Sequence, residues 1–125
     1  MSLIKLNKAN FFYNLDRIKE KTKSVEKIAL VLKDNAYGHG LTWMASLAAG
    51  YGISKAVVRT DESAQRIKRY FDYVLVLADF PKNETPSPTS RVRYAINDIK
   101  SIERFAKGTI VELKVNTGMN RNGVQ

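Results

Sequence analysis

Residues 31–40, V-L-K-D-N-A-Y-G-H-G, combine side chains that could do chemistry. An apolar run at residues 28–32 delivers Lys33 to the expected C-terminal end of a buried strand, and a turn with Tyr37 and two glycines follows. A structural role explains this lysine poorly, because an unpaired ammonium in an apolar setting is costly. Desolvation favours the neutral amine, which forms a Schiff base with carbonyl compounds. The segment therefore predicts that Lys33 is a nucleophile.

A second group of charged residues lies near the C-terminus. If residues 109–115 form a strand, Glu112 and Lys114 share one face, and Val111, Leu113 and Val115 share the other. In a barrel, the charged face points into the interior and the apolar face packs on helices. Lys33, Lys114 and Arg121 are then expected to converge on one mouth that suits phosphate and carboxylate groups. An ion pair between Lys114 and Glu112 is the alternative for that lysine.

Predicted strands and helices alternate along the chain, and these elements must position the charged residues. Strands are predicted at residues 28–32, 56–59, 73–78, 91–96 and 109–115. Helices are predicted at residues 9–19, 41–49 and 97–108 and after residue 60, with Asn7 and Thr60 as N-caps and Gly50 and Gly52 as stops. A proline-containing loop is predicted at residues 81–90.

Strands separated by helices imply parallel pairing through right-handed crossovers. Two architectures remain open at this point, a doubly wound sheet and a (β/α)8 barrel. The dinucleotide fingerprint GxGxxG is absent after the first strand, where Gly38-His39-Gly40 supplies only its first half.

Composition narrows the class of protein. The 125 residues suffice for one modest domain, and the net charge of +9 is scattered, which indicates a solvated basic surface rather than a nucleic-acid site. No apolar run approaches the ~18 residues of a membrane span, and the N-terminus lacks the apolar core of a signal peptide. Zero cysteines exclude disulfides and thiolate metal sites. We therefore expect a cytoplasmic protein with no metal, membrane or nucleic-acid partner.

The two charged segments carry a family resemblance. Residues 31–40 resemble the pyridoxal-phosphate lysine motif of alanine racemases, V-K-A-N-A-Y-G-H-G. Residues 113–123, L-K-V-N-T-G-M-N-R-N-G, are similar to the second signature of that family, L-K-V-D-T-G-M-x-R-x-G. The resemblance covers essentially the whole chain. It implies that residues 1–125 are the N-terminal portion of a pyridoxal-phosphate-binding domain, a partial (β/α)8 TIM-type barrel of about five βα units.

The resemblance also implies a role for each site residue. Lys33 would form the Schiff base with pyridoxal 5'-phosphate and move a proton on one face of the substrate. Tyr37 would bind the cofactor phosphate and Arg121 the substrate carboxylate, and Lys114 matches a lysine that is often carbamylated. The implied activity is interconversion of L-alanine and D-alanine by a homodimer that supplies D-alanine for peptidoglycan.

The chain departs from the family pattern at two positions and in length. Asp34 stands where the family usually has a small residue, and alternation predicts that it points away from the Lys33 face; if it turned towards Lys33 instead, it would keep the amine charged and hinder imine formation. Asn116 replaces an aspartate. A complete barrel needs ~250 residues, and the second catalytic base of the family lies later in its chain. We therefore expect an N-terminal fragment that is inactive alone. The alternatives are a non-catalytic barrel fragment that binds anions or self-associates, and a related broad-specificity amino-acid racemase.

Overall fold

Five parallel strands form one sheet in the computed structural model, which describes residues 1–83 and 85–125. The strands are β1 (Ala29–Val31), β2 (Lys55–Val58), β3 (Tyr73–Val76), β4 (Val92–Ile96) and β5 (Val111–Leu113). Each pairs with the next along the chain, in the order β1-β2-β3-β4-β5. A doubly wound sheet would reverse its strand order at a switch point, whereas a barrel keeps sequential order. The topology confirms the partial barrel.

Helices connect the strands. They are α1 (Lys8–Thr22), α2 (Lys33–Tyr37), α3 (Leu41–Tyr51) and α4 (Asp61–Ile67), with short 3₁₀ helices at Val25–Lys27, Lys68–Tyr70 and Ile99–Arg104. Both predicted N-caps are confirmed, because the side chains of Asn7 and Thr60 accept hydrogen bonds from the N–H groups of Asn10 and Ser63. Gly52 ends α3 in the left-handed conformation, but Gly50 lies inside that helix and does not stop it.

The hydrophobic core lies between the helices and one face of the sheet. Alternate side chains of β2, β3 and β4 are buried, and the intervening ones are mostly half-buried. The core contains Leu15, Leu41, Ala45, Ala48, Ala56, Val58, Ile67, Phe71, Val74, Val76, Val92 and Tyr94. This alternation separates a helix-covered outer face from an inner face that is free to carry polar groups.

The two outermost strands differ from expectation. In β1, the side chains of Ala29 and Val31 are exposed, although the flanking Ile28 and Leu32 are buried. The predicted burial of this strand is therefore wrong for Ala29 and Val31, because both lie on the inner face of the sheet, next to Lys55 and Val57 of β2, and no helix in the described part of the chain covers that face. In β5, by contrast, it is the outer face that is not packed on helices: Val111, Leu113 and Val115 are 36%, 53% and 56% exposed. No helix among the described residues covers them.

Two further segments bear on the sequence interpretation. Residues 97–108 contain a 3₁₀ helix rather than an α-helix, begun by Asp98 and followed by Phe105, whose ring contacts Tyr94 and Phe80. The predicted loop at residues 81–90 contains no helix or strand where it is described; Glu84 lies outside the described residues. No helix in residues 1–83 or 85–125 is long and apolar enough to cross a membrane.

Candidate functional site

A cavity of about 280 Å³ opens at the C-terminal ends of the strands. Its lining comprises Lys33, Arg59, Leu77, Ala78, Asn97, Lys114, Arg121 and Asn122. Arg59, Leu77, Asn97 and Lys114 are each the first residue after a strand, in β2, β3, β4 and β5 respectively. Barrel enzymes keep their chemistry at this end of the strands. The structure thus brings together Lys33, Lys114 and Arg121, as expected from the sequence, and adds residues that sequence reasoning missed.

Lys33 begins a turn whose backbone is left-handed. Asp34, Asn35, Ala36 and Tyr37 have φ values of 54°, 56°, 54° and 55°, so α2 is a left-handed helical turn. The left-handed conformation costs roughly 1–2 kcal/mol per L-residue, less for Asp and Asn. Surrounding hydrogen bonds maintain it, because the Asn35 side chain accepts from Leu41 N–H at 2.8 Å and Ala36 N–H donates to the Leu32 carbonyl at 3.0 Å. Such strain is typical of functional sites.

The direction of Asp34 differs from expectation. Strand alternation predicted that it points away from the Lys33 face, but β1 ends at Val31 and the left-handed turn redirects the side chain. The Asp34 carboxylate instead forms an ion pair with Nη2 of Arg59, across the ends of β1 and β2. Sequence reasoning missed Arg59 as a site residue. The alternation of side chains along β2 could have identified it, since Arg59 continues the series of Lys55 and Val57 on the inner face.

The loop of residues 116–123 presents Arg121. Its base is closed by Asn116 N–H donating to the Val124 carbonyl at 2.9 Å and Val124 N–H donating to the Lys114 carbonyl at 2.8 Å. Gly123 has a φ of 114°, and a Cβ there would lie 2.8 Å from the Asn116 nitrogen, so only glycine fits. Gly123 N–H also donates to the Asn97 carbonyl at 3.1 Å. The loop is thereby tied to the end of β4.

Lys114 and Glu112 do not form the ion pair that was the alternative for this lysine. Glu112 accepts a hydrogen bond from the Tyr73 hydroxyl at 2.8 Å and pairs with Arg93 Nη1 at 3.8 Å. Burial, followed by the hydrogen bond to Glu112, raises the pKa of Tyr73 to about 12. Lys114 lines the cavity with no carboxylate in salt-bridge contact among the described residues.

The cavity is strongly cationic. Lys33, Arg59, Lys114 and Arg121 line it, and none of the described carboxylate residues does, although Asp34 pairs with Arg59 from outside the lining. Arginine and lysine donors of this kind suit phosphate and carboxylate groups, and a lysine amine suits an aldehyde, so the donor set fits pyridoxal 5'-phosphate and an amino-acid carboxylate. The described residues contain no cluster of three or more His, Cys, Asp or Glu side chains that could hold a metal ion.

Tyr37 and His39 lie beside this cavity rather than in it. Tyr37 is 60% exposed and is not among the lining residues, although the Lys33 Nζ lies 6.0 Å from the centre of its ring. His39 Nδ1 is 2.9 Å from the Ala36 carbonyl, which is the contact of a residue that stabilises the turn. The structure therefore brings Tyr37 near Lys33 without placing its hydroxyl against the other cationic groups.

Comparisons with known proteins agree with this geometry. Residues 6–125 match the sequence profile of the family described as "Alanine racemase, N-terminal domain". The alanine racemase of Nitratiruptor sp. is 43% identical over 99% of this chain, which spans 36% of that relative. The alanine racemase structure from Oenococcus oeni, 24% identical, superposes with a TM-score of 0.74 over 97% of this chain and 37% of its own, which shows the fold.

A third similar protein carries a different substrate in its name. The histidine racemase of Leuconostoc mesenteroides is 30% identical and superposes with a TM-score of 0.71, over 93% of this chain and 34% of its own. The portion of chain described here is thus common to racemases whose names specify different amino acids.

Proposed function

Because the chain belongs to the alanine racemase family, we propose that it supplies the lysine-bearing part of a pyridoxal-phosphate site in an enzyme that interconverts L-alanine and D-alanine. The observation that carries the proposal is a lysine on a strained turn, in a cavity whose other charged lining groups are Arg59, Lys114 and Arg121. The chain spans 36% of the length of the Nitratiruptor relative.

Different residues are assigned to cofactor binding and to proton transfer. Pyridoxal 5'-phosphate supplies an aldehyde for a lysine amine and a conjugated ring that acidifies the α-hydrogen of an amino acid. Lys33 would hold the cofactor covalently and would hold or move the proton on one face of the α-carbon. Tyr37, beside the cavity, would donate a hydrogen bond from its hydroxyl to the phosphate. Inversion requires a second acid or base on the opposite face, which we assign to residues outside this chain.

Arg121 and Lys114 act together on the substrate. The Arg121 guanidinium binds the substrate carboxylate through paired hydrogen bonds, which fixes the orientation of the α-carbon. Addition of carbon dioxide to the neutral Lys114 amine, with release of a proton, would form a carbamate with a negative charge and would give Arg121 an anionic partner in the same cavity. Lys114 has no carboxylate in salt-bridge contact among the described residues, which supports its assignment as the carbamylated lysine.

The fold of this region is compatible with more than one amino-acid substrate. A histidine racemase shares this part of the fold, so a broad-specificity or other amino-acid racemase is the second candidate. We assign residues 1–125 to a barrel domain, because their five parallel strands pair in sequential order, and we expect a homodimer because the family resemblance implies one. The absence of cysteine fits work in the cytoplasm, where D-alanine for peptidoglycan would be made.

Cofactor attachment tests the proposal directly. The 125-residue chain is mixed with pyridoxal 5'-phosphate, its visible absorbance is recorded, and the Schiff base is reduced with borohydride and located by peptide mass. We expect a new visible band and label on Lys33, and both are lost in Lys33→Ala. Lys55→Ala is the matched control, because Lys55 lies on the same inner face outside the cavity.

Two outcomes contradict the proposal. Label spread evenly over the surface lysines shows that Lys33 has no special reactivity. Binding of inorganic phosphate in the cavity without any attachment at Lys33 supports instead the non-catalytic fragment that binds anions. Both outcomes are read from the same peptide maps and a parallel phosphate titration.

A further inference from the structure

The acidic residue next to Lys33 has a partner, Arg59. The Asp34 carboxylate pairs with the Arg59 guanidinium, and the side chains are 41% and 57% exposed. At such exposure an ion pair contributes only about 0–1 kcal/mol to stability. The hydrogen bonds that hold the turn among the described residues do not use the Asp34 side chain, so the turn does not require a carboxylate. Stability and turn geometry therefore leave the presence of this pair at the cavity unexplained.

The electrostatic effect of Asp34 on its neighbour offers an explanation. Lys33 attacks a carbonyl only as a neutral amine, and an unpaired carboxylate close to an ammonium stabilises the charged, unreactive form. The other charged groups that face Lys33 across the cavity, Lys114 and Arg121, are cations and act in the opposite sense. Asp34 is thus the acidic group on the turn that could hold Lys33 protonated.

We propose that Arg59 is a positioning residue that binds the Asp34 carboxylate and so keeps the Lys33 amine available as a nucleophile. The inference rests on the proposed function of Lys33 as the covalent anchor. Arg59 fits this task, because it is the first residue after β2 and lines the same cavity as Lys33. Its fixed positive charge neutralises Asp34 at every pH at which the protein is folded.

A double-mutant cycle with a neutral probe tests the proposal without cofactor or turnover. The chain is treated with acetaldehyde and cyanoborohydride. The amine forms a C–N bond to the carbonyl carbon with loss of water, and hydride from cyanoborohydride reduces the imine to a secondary amine. The rate of alkylation at Lys33 is measured by peptide mass in the unchanged chain and in Arg59→Ala, Asp34→Ala and the double variant.

The cycle has a distinctive expected pattern. Arg59→Ala slows alkylation of Lys33 by about three- to tenfold, because the unpaired Asp34 carboxylate then stabilises the unreactive ammonium form. The double variant regains the rate of the unchanged chain, because no carboxylate then remains to be neutralised. Arg66→Ala, which removes an exposed arginine of α4, leaves the rate unchanged. Alkylation of Lys55 in each sample reports general reagent reactivity.

Other patterns overturn the inference. If Arg59→Ala reacts as fast as the unchanged chain, or if the double variant stays as slow as Arg59→Ala, Arg59 does not act through Asp34. If Arg59→Ala loses its near-ultraviolet circular dichroism, Arg59→Gln is used, with the same slowing and rescue expected. Equal reactivity of Lys33 and Lys55 in the unchanged chain contradicts the proposed function itself, which is a separate result.

Discussion

Asn116 holds together the loop that carries Arg121. Its side-chain oxygen accepts hydrogen bonds from the N–H groups of Gly118 and Asn120, both at 3.1 Å, and its side-chain nitrogen donates to the Asn120 Oδ1 at 3.0 Å. Asn120 has a φ of 56°, a conformation that asparagine tolerates better than most residues. The family aspartate at position 116 can accept the same two backbone bonds. Its replacement by asparagine therefore preserves the loop.

Removal of this side chain is expected to loosen the loop. Asn116→Ala leaves the N–H groups of Gly118 and Asn120 without their acceptor, at about 1 kcal/mol per hydrogen bond. We expect faster tryptic cleavage after Arg121 and weaker binding of inorganic phosphate in the cavity. Asn116→Asp should retain protection, because the carboxylate accepts both bonds. Thr117→Ala, an exposed neighbour in the same loop, should cleave at the original rate. Unchanged cleavage in Asn116→Ala would show that the closed loop base suffices.

The site residues show where sequence reasoning succeeds at this scale. Lys114 could be placed because residues at the C-terminal ends of parallel strands share one mouth, which depends only on topology. The direction of Asp34 could not be predicted, since it depends on a left-handed turn. Ala36 and Tyr37 disfavour that conformation, and hydrogen bonds within residues 32–41 maintain it. The preference of single residues was overridden by the contacts around the turn.

At the scale of elements, acidic side chains join α4 to the strands beside it. Asp61 is only 3% exposed, and its carboxylate accepts hydrogen bonds from the Tyr94 hydroxyl at 2.6 Å and Gln65 Nε2 at 3.1 Å. Asp79, which follows β3, accepts a bond from Asp61 N–H at 2.9 Å. The N-terminus of α4 is thereby linked both to β4 and to the segment after β3.

Asp79 should make the fold sensitive to acid. Burial alone would raise its pKa, but hydrogen bonds from Asp61 and Phe80 N–H and the contact with Lys82 lower the pKa below its usual value. A carboxyl whose pKa is lower folded than unfolded stabilises the protein above its unfolded pKa, and that stabilisation is lost as the pH falls through the folded value.

The matched variant for this effect is Asp79→Asn. At pH 7 the variant should be less stable than the unchanged chain by about 1 kcal/mol, because one or more charge-assisted bonds are weakened. The difference should begin to shrink as the pH falls below the unfolded pKa of about 4, and should be lost as the pH falls through the lower folded value. Urea unfolding of both proteins between pH 7 and pH 3 gives the two free energies. A difference that is constant across this range would exclude Asp79 as the source of acid sensitivity.

The predicted elements were most accurate where the pattern reflects burial. The strands of residues 56–59, 73–78 and 91–96 were placed within one or two residues, because their alternate side chains are driven into the core. The helix expected at residues 97–108 proved to be a 3₁₀ segment. Its Ile99 and Ile102 remain 50% and 47% exposed, so their helical spacing was not a sign of burial.

At the scale of the whole molecule, the sheet is open at both of its edges. β1 and β5 each have a neighbour on one side only. The outer face of β5 exposes Val111, Leu113 and Val115, whereas the equivalent face of β3 is fully buried beneath the helices. An apolar strand face beside an unpaired edge favours association with other polypeptide. We therefore expect the 125-residue chain to self-associate in solution.

A charged substitution on the outer face of β5 should oppose that association. Leu113→Lys places an ammonium where a second copy would otherwise bury leucine, and an unpaired charge in such a contact is costly. The weight-average mass from sedimentation should rise with concentration for the unchanged chain and stay near the monomer value of 14.1 kDa for Leu113→Lys. Ile18→Lys, at a 45% exposed position on α1, adds the same charge away from β5 and should associate like the unchanged chain. Equal suppression of association by both variants would assign the effect to net charge. A mass that stays at the monomer value at every concentration of the unchanged chain would show that the open edges do not drive association. Only suppression specific to Leu113 locates the contact on β5, because that result alone separates an apolar seam from general charge repulsion.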